Sequence, residues 1–78
     1  AKVNVFPNPT KGLLFIETST FTNKMKLFVR DHRGRTVKIQ NVNGNKSELQ
    51  LSGLADGVYF IELTDGIQSK VFKVILNK

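Results

Sequence analysis

The chain has 78 residues, of which 40% are hydrophobic and 23% are charged, with twelve Lys and Arg against six Asp and Glu. This length fits one domain, because a single core is usually built from about 50–200 residues, and the composition is that of a globular chain. Cysteine is absent, so apolar packing must hold the fold without disulfides. The net charge of +6 favours anionic partners such as nucleic acid, acidic polysaccharide, lipopolysaccharide or a membrane surface, with a merely soluble surface as the alternative.

Neither a membrane span nor a secretory signal peptide is predicted. No apolar run exceeds four residues, whereas a spanning helix needs about 20. No apolar stretch follows Lys2, as it would in a signal peptide. Because a strand-like pattern starts within the first residues, we expect residues 1–78 to be a single domain taken from a longer protein.

Seven short segments of alternating apolar and polar residues predict β-strands, and no long window keeps helical spacing. The predicted strands are 3–6, 13–18, 25–31, 35–42, 46–51, 57–64 and 67–76. Their spacing is typical of an antiparallel β-sandwich. Pro7 and Pro9 cannot donate ladder hydrogen bonds, so 3–6 is expected to be a short edge strand or a segment leading into the fold.

Turn residues separate these segments. Asp31 begins a predicted four-residue turn in which its carboxylate accepts backbone hydrogen bonds and Gly34 takes a left-handed conformation. The pairs Asn43-Gly44 and Asp65-Gly66 favour type I′ hairpins, which need positive φ angles.

Alternation also predicts which side chains face the core. The inward set is Val3, Val5, Leu14, Ile16, Met25, Leu27, Val29, Val37, Ile39, Leu49, Leu51, Tyr59, Ile61, Leu63, Phe72, Val74 and Leu76. A second apolar set falls on the opposite parity: Leu13, Phe15, Phe28, Val58, Phe60, Val71 and Ile75. These residues are expected either to cover a sheet edge or to form an exposed patch for a partner, including a second copy in a dimer.

The chain contains few residues of the types that catalyse reactions or bind metals. The chain has one histidine, His32, and no cysteine, so both a nucleophile–base pair and a zinc site lack residues. Lysines and arginines cluster around 24–35, which could attract nucleic acid, but only Phe28 lies near them as a stacking platform and no nucleic-acid-binding motif is present. We predict no enzyme, no metal or cofactor site and no nucleic-acid partner.

Four sequence motifs indicate a particular protein family. Residues 6–12 read FPNPTKG, 29–37 read VRDHRGRTV, 49–59 read LQLSGLADGVY and 70–78 read KVFKVILNK. In this order they resemble the C-terminal sorting domains of the type IX secretion system, over essentially the whole chain. The positions that match the family motifs are Pro7, Asn8, Pro9, Asp31, Gly34 and Arg35.

The resemblance implies an immunoglobulin-like β-sandwich at the C-terminus of an exported protein of a Gram-negative bacterium. In such proteins the cargo enters the periplasm with its own N-terminal signal, and the folded C-terminal domain directs it through an outer-membrane translocon. A sortase-like cysteine peptidase often removes the domain and attaches the cargo to anionic lipopolysaccharide at the cell surface. The implied partners are therefore translocon components, the peptidase and an N-terminal cargo domain.

For recognition we expect the last strand, with the segment that starts at Gly57, to be the contact surface. The candidate residues are Gly57, Tyr59, Lys70, Val71, Lys73, Ile75 and Lys78, in which the lysines supply charge and Val71 and Ile75 supply apolar contact. For Tyr59 a place in the core is the favoured alternative. Asp31 and Arg35 are expected to fix their turn, and Pro7 and Pro9 to shape the start of the fold. Two other functions stay open: a carbohydrate-binding or adhesive module, and a structural spacer.

Overall fold

The computed structural model describes residues 3–18, 25–42 and 45–78. Seven β-strands form two sheets, as the alternating segments predict. The strands are β1 Val3–Phe6, β2 Leu13–Thr18, β3 Met25–Arg30, β4 Thr36–Val42, β5 Lys46–Gln50, β6 Gly57–Thr64 and β7 Ser69–Leu76. Within the described ranges no helix is long and apolar enough to cross a membrane.

The strands divide into a three-stranded sheet of order β1-β2-β5 and a four-stranded sheet of order β4-β3-β6-β7. All strand pairs within the two sheets are antiparallel. In a constant-type immunoglobulin domain the fourth strand extends the sheet that holds the first, second and fifth strands. Here β4 pairs with β3 instead, which gives an immunoglobulin-like sandwich of three and four strands. The predicted fold class is confirmed.

The core lies between the sheets and is built from the inward-facing side chains of both. Its buried hydrophobic residues are Leu14, Ile16, Leu27, Val29, Val42, Leu49, Leu51, Tyr59, Ile61, Leu63, Val74 and Leu76. Val3, Val5, Met25 and Phe72 are partly buried and pack against this core. Each fully buried leucine, isoleucine or valine contributes roughly 1.5–3 kcal/mol by leaving water, so apolar packing can hold a chain that has no cysteine.

The predicted core is wrong on the edge strand β4. Val37 and Ile39 were expected inside, but their exposed fractions are 37% and 58%. Paired residues on neighbouring strands share a face, and buried Val29 pairs with Lys38, so the even-numbered residues of β4 face inward. A register shift after Val29 marks a β-bulge at the start of this strand pair. Val42, which the prediction left out, is the buried residue of β4.

Long polar side chains take the inward positions of β4 because they close one side of the sandwich. Lys38 Nζ donates a hydrogen bond to the carbonyl oxygen of Gln50 at 2.8 Å, and Gln40 Nε2 donates one to the carbonyl oxygen of Glu48 at 2.8 Å. Both acceptors belong to β5, the edge strand of the other sheet. Side chains of one sheet thus satisfy the free edge carbonyls of the other.

The turn predictions have mixed outcomes. Gly34 has a φ of 85°, and Asp31 caps its turn as predicted, so β3 ends at Arg30 and β4 begins at Thr36. The type I′ prediction at Asp65-Gly66 is wrong, since Gly66 has a positive φ and Asp65 does not. The β6–β7 connection instead spans 65–68, where the Asp65 carboxylate accepts two backbone N–H groups. The pair Asn43-Gly44 lies outside the described residues.

Candidate recognition surface

The four sequence blocks meet at one end of the sandwich. Antiparallel order places the ends of β1, β3, β5 and β7 at this end, together with the beginnings of β2, β4 and β6. Hydrogen bonds described below join three of the blocks: residues 7–12, the loop 51–56 and residues 73–78. We call this end of the fold the motif end. Motifs that are distant in sequence are therefore neighbouring parts of one local structure.

Residues 7–10, which we call the proline segment, leave β1 and cross to the outer edge of β7. Asn8 makes the first contacts: its Nδ2 donates to the carbonyl oxygen of Lys73 at 2.9 Å, and its Oδ1 accepts the N–H of Ile75 at 3.0 Å. The flanking Pro7 and Pro9 have no N–H to donate, and both follow cis peptide bonds. Asn8, a motif position without a predicted role, thus pairs with β7 through its side chain.

Thr10 continues this contact with its backbone. Its N–H donates to the carbonyl oxygen of Ile75 at 2.9 Å, and its own carbonyl accepts the N–H of Asn77 at 2.9 Å. The Thr10 hydroxyl accepts the N–H of Gly12 and donates to the carbonyl oxygen of Leu13. Thr10 is 1% exposed and was missed by the prediction, although a hydroxyl residue two positions before glycine is a recognisable turn signal.

Lys78, a candidate for partner contact, folds back on the motif end. Its Nζ donates to the carbonyl oxygens of Leu54 at 2.7 Å and Ser52 at 3.4 Å, while its N–H donates to Asp56 Oδ1 at 3.1 Å. The ammonium therefore stabilises the loop 51–56. This local role distinguishes Lys78 from Val71, Lys73 and Ile75, whose side chains are exposed on β7.

Tyr59 lies in the core, as the alternative expectation held. It is 7% exposed, and its hydroxyl donates to the carbonyl oxygen of Ala55 at 2.5 Å. A tyrosine that bonds a backbone group a few residues upstream is the tyrosine corner of immunoglobulin-like sandwiches. Gly57, two residues before it, has a φ of 153° and pairs with Leu76, so it fixes where β6 and β7 begin to pair.

The turn 31–35 is held by a buried carboxylate. Asp31 Oδ1 accepts the N–H groups of Arg33 and Arg35, and its Oδ2 accepts the Arg35 Nε at 3.1 Å. Burial opposes ionisation of Asp31, but these hydrogen bonds and the guanidinium outweigh it and hold the pKa of the carboxyl below 3.8. Asp31, Gly34 and Arg35 thus fix the turn, as expected. His32, between them, is exposed.

An exposed row of side chains runs along β7 on the outer face of the four-stranded sheet. Val71 and Ile75 are 60% and 41% exposed, and Lys73 lies exposed between them. Lys70 is exposed at the start of the strand. The structure thus brings four of the predicted contact residues onto one edge strand. On its outer face the positively charged Lys73 alternates with the apolar Val71 and Ile75.

The remaining residues of the second apolar set lie on both outer faces. On the four-stranded sheet the guanidinium of Arg30, which pairs with Glu62, covers the ring of Phe28 at 5.3 Å, so Phe28 is half-buried. On the three-stranded sheet the rings of Phe6 and Phe15 touch, with centroids 5.7 Å apart. They line a shallow groove of about 560 Å³ together with Glu17, Lys46, Ser47 and Glu48. The second apolar set was expected either to cover a sheet edge or to form an exposed patch. Because its members are spread over the outer faces of both sheets, neither arrangement describes the whole set.

These features define an immunoglobulin-like β-sandwich in which an N-terminal proline segment and a C-terminal strand are bonded to each other. The family profile described as the secretion system C-terminal sorting domain matches residues 4–77. The chain therefore belongs to this family, the type IX secretion sorting domains that its motifs resemble. No individually curated protein sequence matches it. Membership implies that the domain is a C-terminal signal for export toward the cell surface or for secretion, and that it interacts with the secretion machinery and a cargo domain.

Proposed function

We propose that this domain is a non-catalytic signal that carries its cargo from the periplasm through an outer-membrane translocon, and that the machinery reads the exposed row of β7. The observation that carries the proposal is the family match over 4–77, joined to the exposure of Val71, Lys73 and Ile75 on one edge strand. An alternating row of apolar and positive side chains offers both contact area and charge to a partner.

We also propose that a sortase-like peptidase separates the cargo on the N-terminal side of Val3. Proteases cleave chain segments that are exposed and free of regular structure. Residues 3–6 pair with β2, and the proline segment is bonded to β7, so 3–10 is built into the fold. The mass of the domain released by cells tests this directly. A released fragment that begins within 4–12 would contradict it.

The test of the sorting function is a secretion assay in a Gram-negative host with a type IX system. A periplasm-directed reporter is fused ahead of the domain, and its amounts in periplasm, cell surface and medium are measured. Export is expected with the domain and periplasmic retention without it. Periplasmic retention of the reporter that carries the wild-type domain would contradict the sorting function itself.

The contact surface is tested by a pair of double variants. Val71→Ser with Ile75→Ser removes the apolar contacts of β7, whereas Val37→Ser with Ile39→Ser removes an exposed apolar pair from the opposite edge of the same sheet. The first is expected to retain the reporter in the periplasm and the second to leave export unchanged, with circular dichroism confirming that both fold. Equal export of both would contradict the assignment to β7. A truncation of 73–78 is a poorer test, because it removes buried core residues.

A carbohydrate-binding function is the second candidate, and the groove on the three-stranded sheet favours it. The exposed rings of Phe6 and Phe15 lie beside the carboxylates of Glu17 and Glu48, and apolar walls with a few polar groups are typical of ligand sites. Saturable glycan binding that Phe15→Ser abolishes would support this function. No binding across a glycan panel would exclude it.

A further inference from the structure

The four edge strands of the sandwich differ in how they are protected. Unprotected edges offer backbone N–H and C=O groups to other chains, and proteins usually block them. The side chains of Lys38 and Gln40 cover the carbonyls of β5. On β4 the bulge and the inward-pointing Lys38 are features that discourage pairing. On the fourth edge strand β1, pairing is limited by its length of four residues and by Pro7 directly after it.

The edge of β7 is divided into a closed and an open half. Alternate residues of an edge strand point their backbone groups away from the sheet, and on β7 these are the odd-numbered residues, since Ile75 bonds outward to the proline segment. That segment occupies the outward groups from the Lys73 carbonyl to the Asn77 N–H. Among the described residues, none bonds the outward N–H and C=O of Val71 or the N–H of Lys73. We call residues 69–73 the open edge.

The charge around the open edge selects what can pair with it. Lys73 lies exposed on this stretch, and Glu62, the carboxylate of the adjoining strand β6, pairs with Arg30. Two copies of the domain that paired through this edge would bring lysines together, which opposes self-association. A strand that carries acidic side chains would gain attraction instead.

We propose that the open edge of β7 is the docking site of a partner strand, an extended segment with alternating acidic and apolar residues that adds to the four-stranded sheet. Strand addition takes its affinity from main-chain hydrogen bonds and its specificity from alternate side chains. The closed half limits the partner to about five residues, because Asn8 already holds the Lys73 carbonyl and the Ile75 N–H. This proposal rests on the proposed sorting function and specifies how the machinery would read β7.

The first test uses the isolated domain and a blocked five-residue peptide of alternating Glu and Val, titrated in an NMR experiment. The expected result is amide shifts confined to 69–73. A peptide with Lys in place of Glu should bind at least tenfold more weakly. Shifts spread over an outer sheet face, or equal binding of the two peptides, would overturn the proposal.

Two variants test the roles of the backbone and of the charge. Val71→Pro removes one outward N–H but leaves the hydrogen bonds between β6 and β7 intact, because proline is tolerated on a free edge. It should weaken binding of the Glu peptide at least tenfold. Lys73→Glu should reverse the preference in favour of the Lys peptide, whereas Lys26→Glu, an equal charge change on β3, should leave it unchanged. If Val71→Pro does not fold, the comparison of Lys73→Glu with Lys26→Glu tests the proposal by itself. Equal effects of these two variants on peptide preference would overturn the proposal.

The secretion assay separates this proposal from the sorting function. Export with the wild-type domain and retention with folded Val71→Pro would support both. Normal export of both proteins would overturn strand addition while the sorting function stands. Retention of the wild-type fusion would instead contradict the sorting function, and peptide binding to the open edge would then be judged by the NMR titration alone.

Discussion

Replacing Asn8 by alanine measures what the contact between the proline segment and β7 contributes. The variant loses two hydrogen bonds, from Nδ2 to the Lys73 carbonyl and from the Ile75 N–H to Oδ1. Net contributions of about 0.5–1.5 kcal/mol each give an expected loss of roughly 1–3 kcal/mol. A domain of 78 residues has a free energy of unfolding of only about 4–12 kcal/mol, so the loss is large. It should lower the midpoint of thermal unfolding by about 4–8 °C per kcal/mol.

The assay is urea unfolding followed by circular dichroism, with two comparison variants. Asn8→Asp keeps an acceptor for the Ile75 N–H but loses the donor to Lys73, so its loss should fall between those of wild type and Asn8→Ala. Asn4→Ala changes an exposed asparagine of β1 for which the described residues provide no hydrogen-bond partner, and it should stay within about 0.5 kcal/mol of wild type. If Asn8→Ala is as stable as Asn4→Ala, the side chain of Asn8 does not hold the proline segment in solution.

Three further predictions concern the motif end and the turns. Gly12→Ala should lower the free energy of unfolding in urea by roughly 1–3 kcal/mol, because Gly12 has a φ of 148° and a Cβ there meets Ser52 at 3.2 Å. Gly53→Ala is the control, since a Cβ at Gly53 meets no atom within 4 Å. Equal losses in the two variants would contradict the reasoning. Tyr59→Phe should cost about 1 kcal/mol through its lost hydrogen bond, and unchanged stability would exclude a contribution from the tyrosine corner. Asp31 and Asp65 have pKa values held below 3.8 by hydrogen bonds, so they stabilise the fold above about pH 4 and lose that effect as the pH falls through the lowered pKa. Asp31→Asn should therefore reduce the stability difference between pH 6 and pH 2.5, and an unchanged difference would contradict this.

The sequence predicts the strands and most of the core because alternation is a local property. Every one of the seven strands lies where an alternating segment predicts it, with ends displaced by at most a few residues. The prediction of the core fails at β4. There the inward-facing side chains of Lys38 and Gln40 are polar and donate hydrogen bonds to the other sheet. Apolar content alone cannot reveal that Ile39 faces outward. The bulge and the opposite edge strand decide it, and both depend on the folded arrangement.

The sequence predicted that the last strand would be the contact surface. It did not predict that the outer edge of this strand has a closed and an open half. Family motifs pointed to Asn8 and the last strand separately, and the bonds that join them span 65 and 67 positions of the chain. No local pattern encodes such a contact. Lys78 shows the same limit, since its terminal position suggested a partner contact while its ammonium bonds the loop 51–56. The exposed row of Val71, Lys73 and Ile75, in contrast, follows directly from alternation.

Amide hydrogen exchange along β7 tests the division of its edge most directly, because both the stability of the motif end and the proposed docking depend on it. In the free domain the N–H groups of Ile75 and Asn77 should be protected by the proline segment, and that of Val74 by β6. The N–H groups of Val71 and Lys73 should exchange much faster. Protection of Val71 as strong as that of Ile75 would contradict an open edge.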